Sequence, residues 1–454
     1  MSNRQLISTF TYAALLVGLF VLLSGYQSVI IVAAVDSDPR AQSQADYVCD
    51  GTDDQVQIQS AISDLIVGGI VRLVAGNYSV GQNDSSGYSI LIDRSNLQIS
   101  FDLGALLTLA DDTYATGIEG HVFQFGTGAT TQFVNVQVVG PGTIDGNALN
   151  NPGTGNRTDN CIFNINMNID GVRFGDGLRL TNGIGVGING GGVNSGGAMF
   201  PITNAVFEHL RIDNVNEGWR GLRWDGLFVN DLCILDWGKQ DGFEPITGVT
   251  NLHIQNSFIS GGTGSAIDIV LSNVNAVCDD ITVMNCTLSS FGSHGVVELG
   301  TANGTLTNVR LLGNTILLAG SGAGVQMGAN LTGALIANNM IDGINGVGAT
   351  DGINFVSPAD DIEIIGNFIA NCGAWGIDGQ NDPTNLTVYG NTNCNNVTGE
   401  INASAGSGYD AKGNFGQPDC PPPATPCPTD INGDGVTNVL DLIDLLLAFG
   451  NACP

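Results

Sequence analysis

The sequence predicts an all-β solenoid, a parallel β-helix closed at one end by a short helix and followed by a small EF-hand-like calcium module. Three observations carry this. Apolar residues closing successive segments, Ile212, Ile234, Ile259, Leu288, Ile316, Ile341 and Ile369, recur every 22 to 29 residues, a period that belongs to coiled repeats. Each repeat holds a further short strand in which Gly or another small residue precedes an apolar–x–apolar triplet, as in Gly242–Pro245, Gly324–Met327 and Gly352–Phe355. Charged residues make up only 12 % of the 454 residues while Gly reaches 65, against about 25 % charge in an average domain. Such a chain covers its surface with Asn, Ser, Thr and Gly. Short strands joined by Gly and Asn turns cannot bury their faces alone, and stacking coil on coil does so with parallel sheets.

The elements follow in order. Arg4 precedes an apolar run, Ala13 to Leu23, and a second apolar patch, Val29 to Val35, follows a polar break. The small residues Val32, Ala33 and Ala34 suit signal peptidase, so residues 1–34 are expected to be a cleaved leader. The alternative is an uncleaved anchor over residues 11–35, since about 20 apolar residues span a bilayer. Both place the remainder outside the cytoplasm, secreted or at the cell surface, where ten cysteines are free to form disulfides. Asp53 or Asp54 is expected to cap a helix whose Ile58, Ala61, Ile62 and Leu65 share one face. Gly68-Gly69 ends it, and two strands follow up to Val80. A short amphipathic helix ahead of stacked strands is what covers the apolar end of a repeat array. The β-helix is expected over residues 45–415, with recurrent Asn forming side-chain ladders and residues 182–197 forming a loop that overhangs the coils. Residues 416–428 are Pro-rich and read as a stiff linker, and residues 429–453 as a separate module.

Asp50-Gly51-Thr52-Asp53-Asp54, with Ala61-Ile62 and Gly68-Gly69, resembles the opening of pectate-lyase-superfamily proteins. That resemblance implies a right-handed helix. Gly140 to Asn147, "GPGTIDGN", is similar to a turn-and-strand phrase of polygalacturonase-like β-helices, where it is not catalytic.

"DINGDGVTNVLD", Asp430 to Asp441, has the spacing of a calcium loop. Asp430, Asn432, Asp434, Asn438 and Asp441 offer hard side-chain oxygens, Val436 offers its carbonyl, and Gly435 sits where the backbone turns sharply. Asp at the last position and the flanking Cys427 and Cys453, a candidate disulfide, resemble single-repeat dockerin-like modules. The resemblance implies attachment, through a cohesin-like or cell-surface partner. Dockerins of cellulosomes carry two such loops, whereas this chain carries one. The linker assigns this calcium to a handle rather than to chemistry.

A net charge of −30 excludes nucleic acid as a partner, because phosphate contacts need clustered Lys and Arg. A polysaccharide or other glycan is the expected partner. Arg223, Glu244, Asp268, Glu298, Gln326, Asn354 and Asp378 are expected to stand in one outward row, coil by coil. Coils stack about 4.8 Å apart, so Glu244 and Asp268 would lie about 5 Å apart, a spacing suited to retaining glycoside hydrolysis, and Glu244 and Glu298 about 10 Å. Crowded carboxylates also split one another's pKa values into an acid and a base. Glu244, Asp268, Glu298, Asp241 and His294 are the candidate catalytic groups. Arg220, Arg223, Trp224 and Lys239 are the candidate substrate contacts: cations for a uronate carboxylate, an aromatic face for a sugar ring. "QDGFE" and "SHGVVELG" resemble motifs of polygalacturonase-type hydrolases around their Asp and His-Gly. Those enzymes also need a paired Asp-Asp just after a Gly, and here Gly264 is followed by Ser265-Ala266. A lyase would need a base such as Arg220, Arg223 or Lys239. The expected function is a secreted polysaccharide lyase or glycoside hydrolase. The alternative is a non-catalytic β-helix that binds glycans or builds a surface layer.

Overall fold

The computed structural model describes residues 27–417 except 83–86, 115–119, 127–131, 153–160, 192–200, 239, 270, 272–275, 301–303, 347, 349, 380, 382, 404–409, 413 and 414. Every described strand pairing is parallel, and each strand pairs with its counterpart one coil away. A complete coil holds three strands, for example Thr250–Gln255, Phe258–Gly262 and Ile267–Ile269. Stacked, they form a first, second and third sheet around one interior.

The periodic apolar residues form a single column on the second sheet. Leu180, Ile212, Ile234, Ile259, Leu288, Ile316, Ile341 and Ile369 are partners in succession, each fully buried. The column ends at Asn393. The first sheet has an equivalent column, Leu252, Ile281, Val309, Ala334, Ile362 and Leu386. Register is strongly held because a one-residue slip would turn each column out to solvent.

Between the first and second sheets the chain turns sharply, and on four successive coils a buried asparagine occupies the turn. Asn314, Asn339, Asn367 and Asn391 are at most 1 % exposed. The backbone N–H and Nδ2 of each of the first three donate to Oδ1 of the next. Nδ2 of each also donates to a carbonyl of the preceding coil. A buried amide must satisfy all its polar atoms, and stacking identical turns does this. A second ladder runs outside, where Thr and Asn of one coil donate to an Asp of the coil before: Thr250 and Asn251 to Asp225, Thr307 and Asn308 to Asp279, Thr384 and Asn385 to Asp360.

The end cap forms as the periodicity predicts. Helix α1 is Pro39–Gln44 and α2 is Gln55–Asp64, which buries Ile58, Ala61 and Ile62. Asp54 does not cap α2 with its side chain. Its buried carboxylate instead accepts the N–H groups of Gly51 and Ser79, tying the cap to the strand Gly76–Val80. Gly68 is at φ 95°, and a Cβ there would meet Asn96 O at 2.4 Å, so no other residue suits that stop.

Two boundaries are corrected. Val29–Ala33 is the first strand, paired with Gly69–Leu73 and Tyr47–Val48, and Val32, Ala33 and Ala34 are fully buried. The solenoid therefore starts at 29 rather than 45, and cleavage after Ala34 would remove a core strand. The apolar patch reads as a leader because a buried strand and a leader's hydrophobic stretch have the same composition. Residues 182–190 are not an overhanging loop but part of the strand Arg179–Gly190, which turns from the second sheet into the third through an irregularity between Gly183 and Val186. The last described strand, Phe415–Gln417, pairs with Thr392–Cys394, two residues past the expected boundary. Residues 1–26, most of the linker, and the calcium loop with its Cys427 and Cys453 lie outside the described residues. No helix among the described residues is long and apolar enough to cross a membrane. Cys233 and Cys394 are each disulfide-bonded, though not to one another, since six coils separate them. Cys49, Cys278, Cys286 and Cys372 are buried thiols, and burial pushes the first three up to about 12, 11 and 11, so they act as small apolar residues.

Candidate active site

The third sheet presents one polar row to its outer face. In succession it reads Gln124, Asn164, Asn189, Arg220, Glu244, then Asp268, Glu298, Gln326, Asn354, Asp378 and Asn402. Phe243 opposite Ile267 sets Glu244 beside Asp268. Toward the N-terminal end the row is an amide ladder, and toward the other end Gln326 and Asn354 lead to a single further acid, Asp378. Asn164 donates to Gln124 and Asn189 to Asn164, both at 2.9 Å, and Asn402 donates to Asp378. In the middle the ladder is broken by Arg220, Glu244, Asp268 and Glu298. Like charges directly opposite on neighbouring strands are destabilising. A row that only held the coils together would continue its amides. A local rule broken in one block is the usual mark of a functional site.

Arg220 donates from Nε to Glu244 Oε2 at 3.1 Å and lies 3.9 Å from Glu217 Oε1. Glu217 is fully buried and Glu244 is 3 % exposed. Asp241, Glu244 and Asp268 each offer an oxygen within 4.8 Å of the others. Oxygens bound to one Ca²⁺ at about 2.4 Å lie at most about 4.8 Å apart, so these three residues have the donor type and span to hold a hard cation. One coil on, Glu298 accepts from Gln326 Nε2 at 2.7 Å and from Gly295 N–H at 3.3 Å. His294 Nδ1 lies 3.4 Å from Glu298 Oε1, and His294 is 64 % exposed. The block thus runs from a cation, through shielded carboxylates, to a solvent-facing imidazole steadied by a carboxylate.

Asp241 also has a structural task. Its Oδ1 accepts the N–H of Ser265 on the next coil at 2.7 Å. The same position three residues ahead of the row holds Asp351, which accepts from Trp375 N–H at 2.9 Å, and His121, whose Nδ1 takes Cys161 N–H. Burial, with the Asp378 charge adding to it, raises the Asp351 carboxyl. Burial alone pushes His121 down to about 4, so it stays neutral beside Asn164.

The structure brings together six of the residues singled out in the sequence, Asp241, Glu244, Asp268, Glu298, His294 and Arg220. It separates others. Arg223 is not in the row. The strand Ile202–Leu222 passes through all three sheets, turning at His209 and Asn214, both at positive φ, and ends before Arg223. Arg223 stands at the next corner, exposed, at φ 55°, its N–H donating to Thr247 O. Trp224 is no sugar platform, for it is fully buried against Phe207 and Trp219, and Trp219 stacks on Phe243 at 4.1 Å. Trp237 is 3 % exposed. The wide coil interior needs these rings as filling. Lys239 lies outside the described residues. The arginines are spread over three sheets: Arg173 pairs with Asp176 and Glu208 beside the first sheet, Arg179 and Arg211 with Asp213 on the second, Arg220 with Glu244 on the third. Glu217 went unnoticed in the sequence; its signal is an acid within the alternation of "NVNEGWRGL", three residues ahead of Arg220.

No protein-family model matches the sequence, and no curated protein matches it. The fold, however, is shared with solved β-helices. The A-module of the Azotobacter vinelandii mannuronan C-5 epimerase AlgE6 superposes with a TM-score of 0.56 at 16 % identity, covering 82 % of this chain and 97 % of that one. A mutant of the periplasmic alginate epimerase AlgG superposes with a TM-score of 0.53 at 11 % identity, covering 79 % and 89 %. At such identity the likeness is one of architecture: an all-β parallel β-helix.

Proposed function

We propose that this protein is an enzyme acting on an acidic polysaccharide laid across the third sheet, with the block Arg220–Glu244–Asp268–Glu298 and His294 as its reaction centre. The observation that carries this reading is the replacement of a self-satisfying amide ladder by four charged groups on adjacent coils. The reaction it suits best is proton abstraction from the carbon beside a uronate carboxylate. Glu298 holds His294 by Nδ1, leaves Nε2 to take the proton, and stabilises the imidazolium that forms. Arg220, or a cation held by Asp241, Glu244 and Asp268, would neutralise the sugar carboxylate and make that carbon acidic. The carbanion then either expels the glycosidic oxygen, which is lyase chemistry, or takes a proton back, which is epimerase chemistry. The fold's likeness to two alginate epimerases makes a polyuronate the substrate to try first. Retaining glycoside hydrolysis is the second reading, since Glu244 and Asp268 approach the spacing of about 5 Å it needs.

The test is incubation with polyuronates and neutral polysaccharides in deuterated buffer, with and without calcium. New reducing ends with ultraviolet absorbance identify a lyase, and new ends without it a hydrolase. Deuterium at the carbon without new ends identifies an epimerase. None of the three on any substrate removes the enzymatic reading. Attachment through the calcium loop and secretion by a leader ending before Val29 belong to the same proposal. They are supported by the loop's ligand spacing and by the burial of Val32, Ala33 and Ala34.

A further inference from the structure

The second sheet carries a groove of about 560 Å³ that the row on the third sheet does not include. Leu103, Pro141, Thr143, Arg179, Asp213 and Asn214 are among its lining residues. Thr143 and Arg179 line the groove, and Arg211, on the next coil in the same register line, stands at its edge rather than in its lining. Arg179 donates to both oxygens of Asp213, from Nε and Nη2 at 2.8 Å, and Arg211 donates from Nε to Oδ2 at 2.7 Å. Thr181 Oγ1 adds a third donor. Asp213 is 5 % exposed, while the Arg179 and Arg211 side chains are 45 % and 47 % exposed. One buried carboxylate therefore aligns two guanidinium groups side by side at the surface. Among the described residues neither Nη of Arg211, nor Nη1 of Arg179, has a partner. The other acid of the groove, Asp145, is occupied: Oδ1 accepts Asn147 N–H and Oδ2 accepts Asn182 Nδ2. One lip is apolar, with Leu103 at 77 % exposure beside Pro141.

We infer that this groove is a second, non-catalytic binding site for an acidic sugar, which holds a carboxylated chain on a face other than the reacting one. The open Nη pair of Arg211 with Nη1 of Arg179 beside it suits a planar carboxylate, and an apolar lip suits the C–H face of a sugar ring. The substrate class rests on the reading of the protein as acting on polyuronates. The pairing of the two arginines does not.

The experiment measures binding of short oligouronates, matched neutral oligosaccharides and inorganic sulfate to the full chain by calorimetry. It is done in a Glu244→Gln/Asp268→Asn background to weaken binding at the row. Arg211→Leu is the test variant, because Asp213 keeps Arg179 and Thr181 and is not orphaned. Arg211→Lys keeps the charge and loses the fork. Oligouronate binding that weakens about tenfold or more in Arg211→Leu, and partly in Arg211→Lys, with unchanged melting temperature supports the site; a lost pair of charge-assisted hydrogen bonds has that size. Unchanged binding in Arg211→Leu overturns it, as does equal binding of neutral oligosaccharides or binding of sulfate alone. If the wild type turns over polyuronates while Arg211→Leu binds them normally, only this inference fails. If polyuronates neither bind nor react anywhere, the functional reading fails with it.

Discussion

At the scale of single residues, the site turns on which polar groups are replaced by charges. Gln124, Asn164 and Asn189 show what the row is without a task, amide on amide. Glu298→Gln would restore that pattern toward Gln326, so it should leave the melting temperature unchanged or raised while turnover falls by a hundredfold or more, of the order general acid–base groups supply. His294→Ala should lose turnover alike, with little effect on stability, since the ring is 64 % exposed. A turnover of Glu298→Gln within a factor of two of wild type would remove Glu298 and His294 from the mechanism. Burial sets the other residue-level prediction. Asn393 closes the apolar column of the second sheet fully buried, with no partner for its amide among the described residues. Asn393→Leu should stabilise the protein by about 1–3 kcal/mol in urea unfolding, the cost of an unsatisfied buried polar group. These distinctions were only partly legible in the sequence. The acids of the row could be counted out from their Gly-apolar triplets. Arg220 against Arg223 could not, because the strand that carries Arg220 runs through its corners at His209 and Asn214 without a break and ends just before Arg223. Whether Trp224 lies at the surface as a sugar contact or in the core was left open by the sequence, because the width of the interior is a property of the stack, not of its neighbours in sequence.

At the scale of elements, the inner asparagine ladder and the end cap decide stability. Each of Asn314, Asn339 and Asn367 serves three coils at once. Asn339→Ala orphans several buried groups and should cost about 2–4 kcal/mol, whereas Asn308→Ala on the exposed ladder should cost less than about 1 kcal/mol. Equal effects, measured by denaturant midpoint at constant m, would show that the inner ladder is ornamental. The cap was legible from Ile58, Ala61 and Ile62 at helical spacing, and the structure buries all three. The first strand was not, since Val29 to Ala34 has the composition of a leader as much as of a core strand. N-terminal sequencing of the exported protein should find a start ahead of Val29, and a start at Val35 would contradict the role given to that strand.

At the scale of the whole molecule, the chain carries 43 acids against 13 bases and stacks many of the acids in register. Side-chain hydrogen bonds from Thr and Asn of the next coil hold Asp170, Asp279 and Asp360 below the usual carboxylate value. Thr181 and the two arginines do so for Asp213 against its burial. A lowered folded pKa means that this stabilisation is present above about pH 4, the unfolded value, and is lost as pH falls through the lower folded one. The solenoid should therefore resist acid to below about pH 4. Replacing Thr307 by Val together with Asn308 by Ala should shift the acid-unfolding midpoint upward, and an unchanged midpoint would remove the outer ladder from that account. Period, parallel stacking and the outward acids were all readable from sequence because a solenoid repeats its rules every coil. The division of Arg173, Arg179, Arg211 and Arg220 among three sheets was not, because it depends on where each corner falls.

The most direct test of the central claim compares wild type with Glu244→Gln/Asp268→Asn on a polyuronate, scoring new chain ends and deuterium at the sugar carbon together. The account predicts turnover by the wild type and loss of at least a hundredfold in the double variant, with the fold intact by circular dichroism. Turnover by both at similar rates would contradict the assignment of the reaction to the charged block of the third sheet.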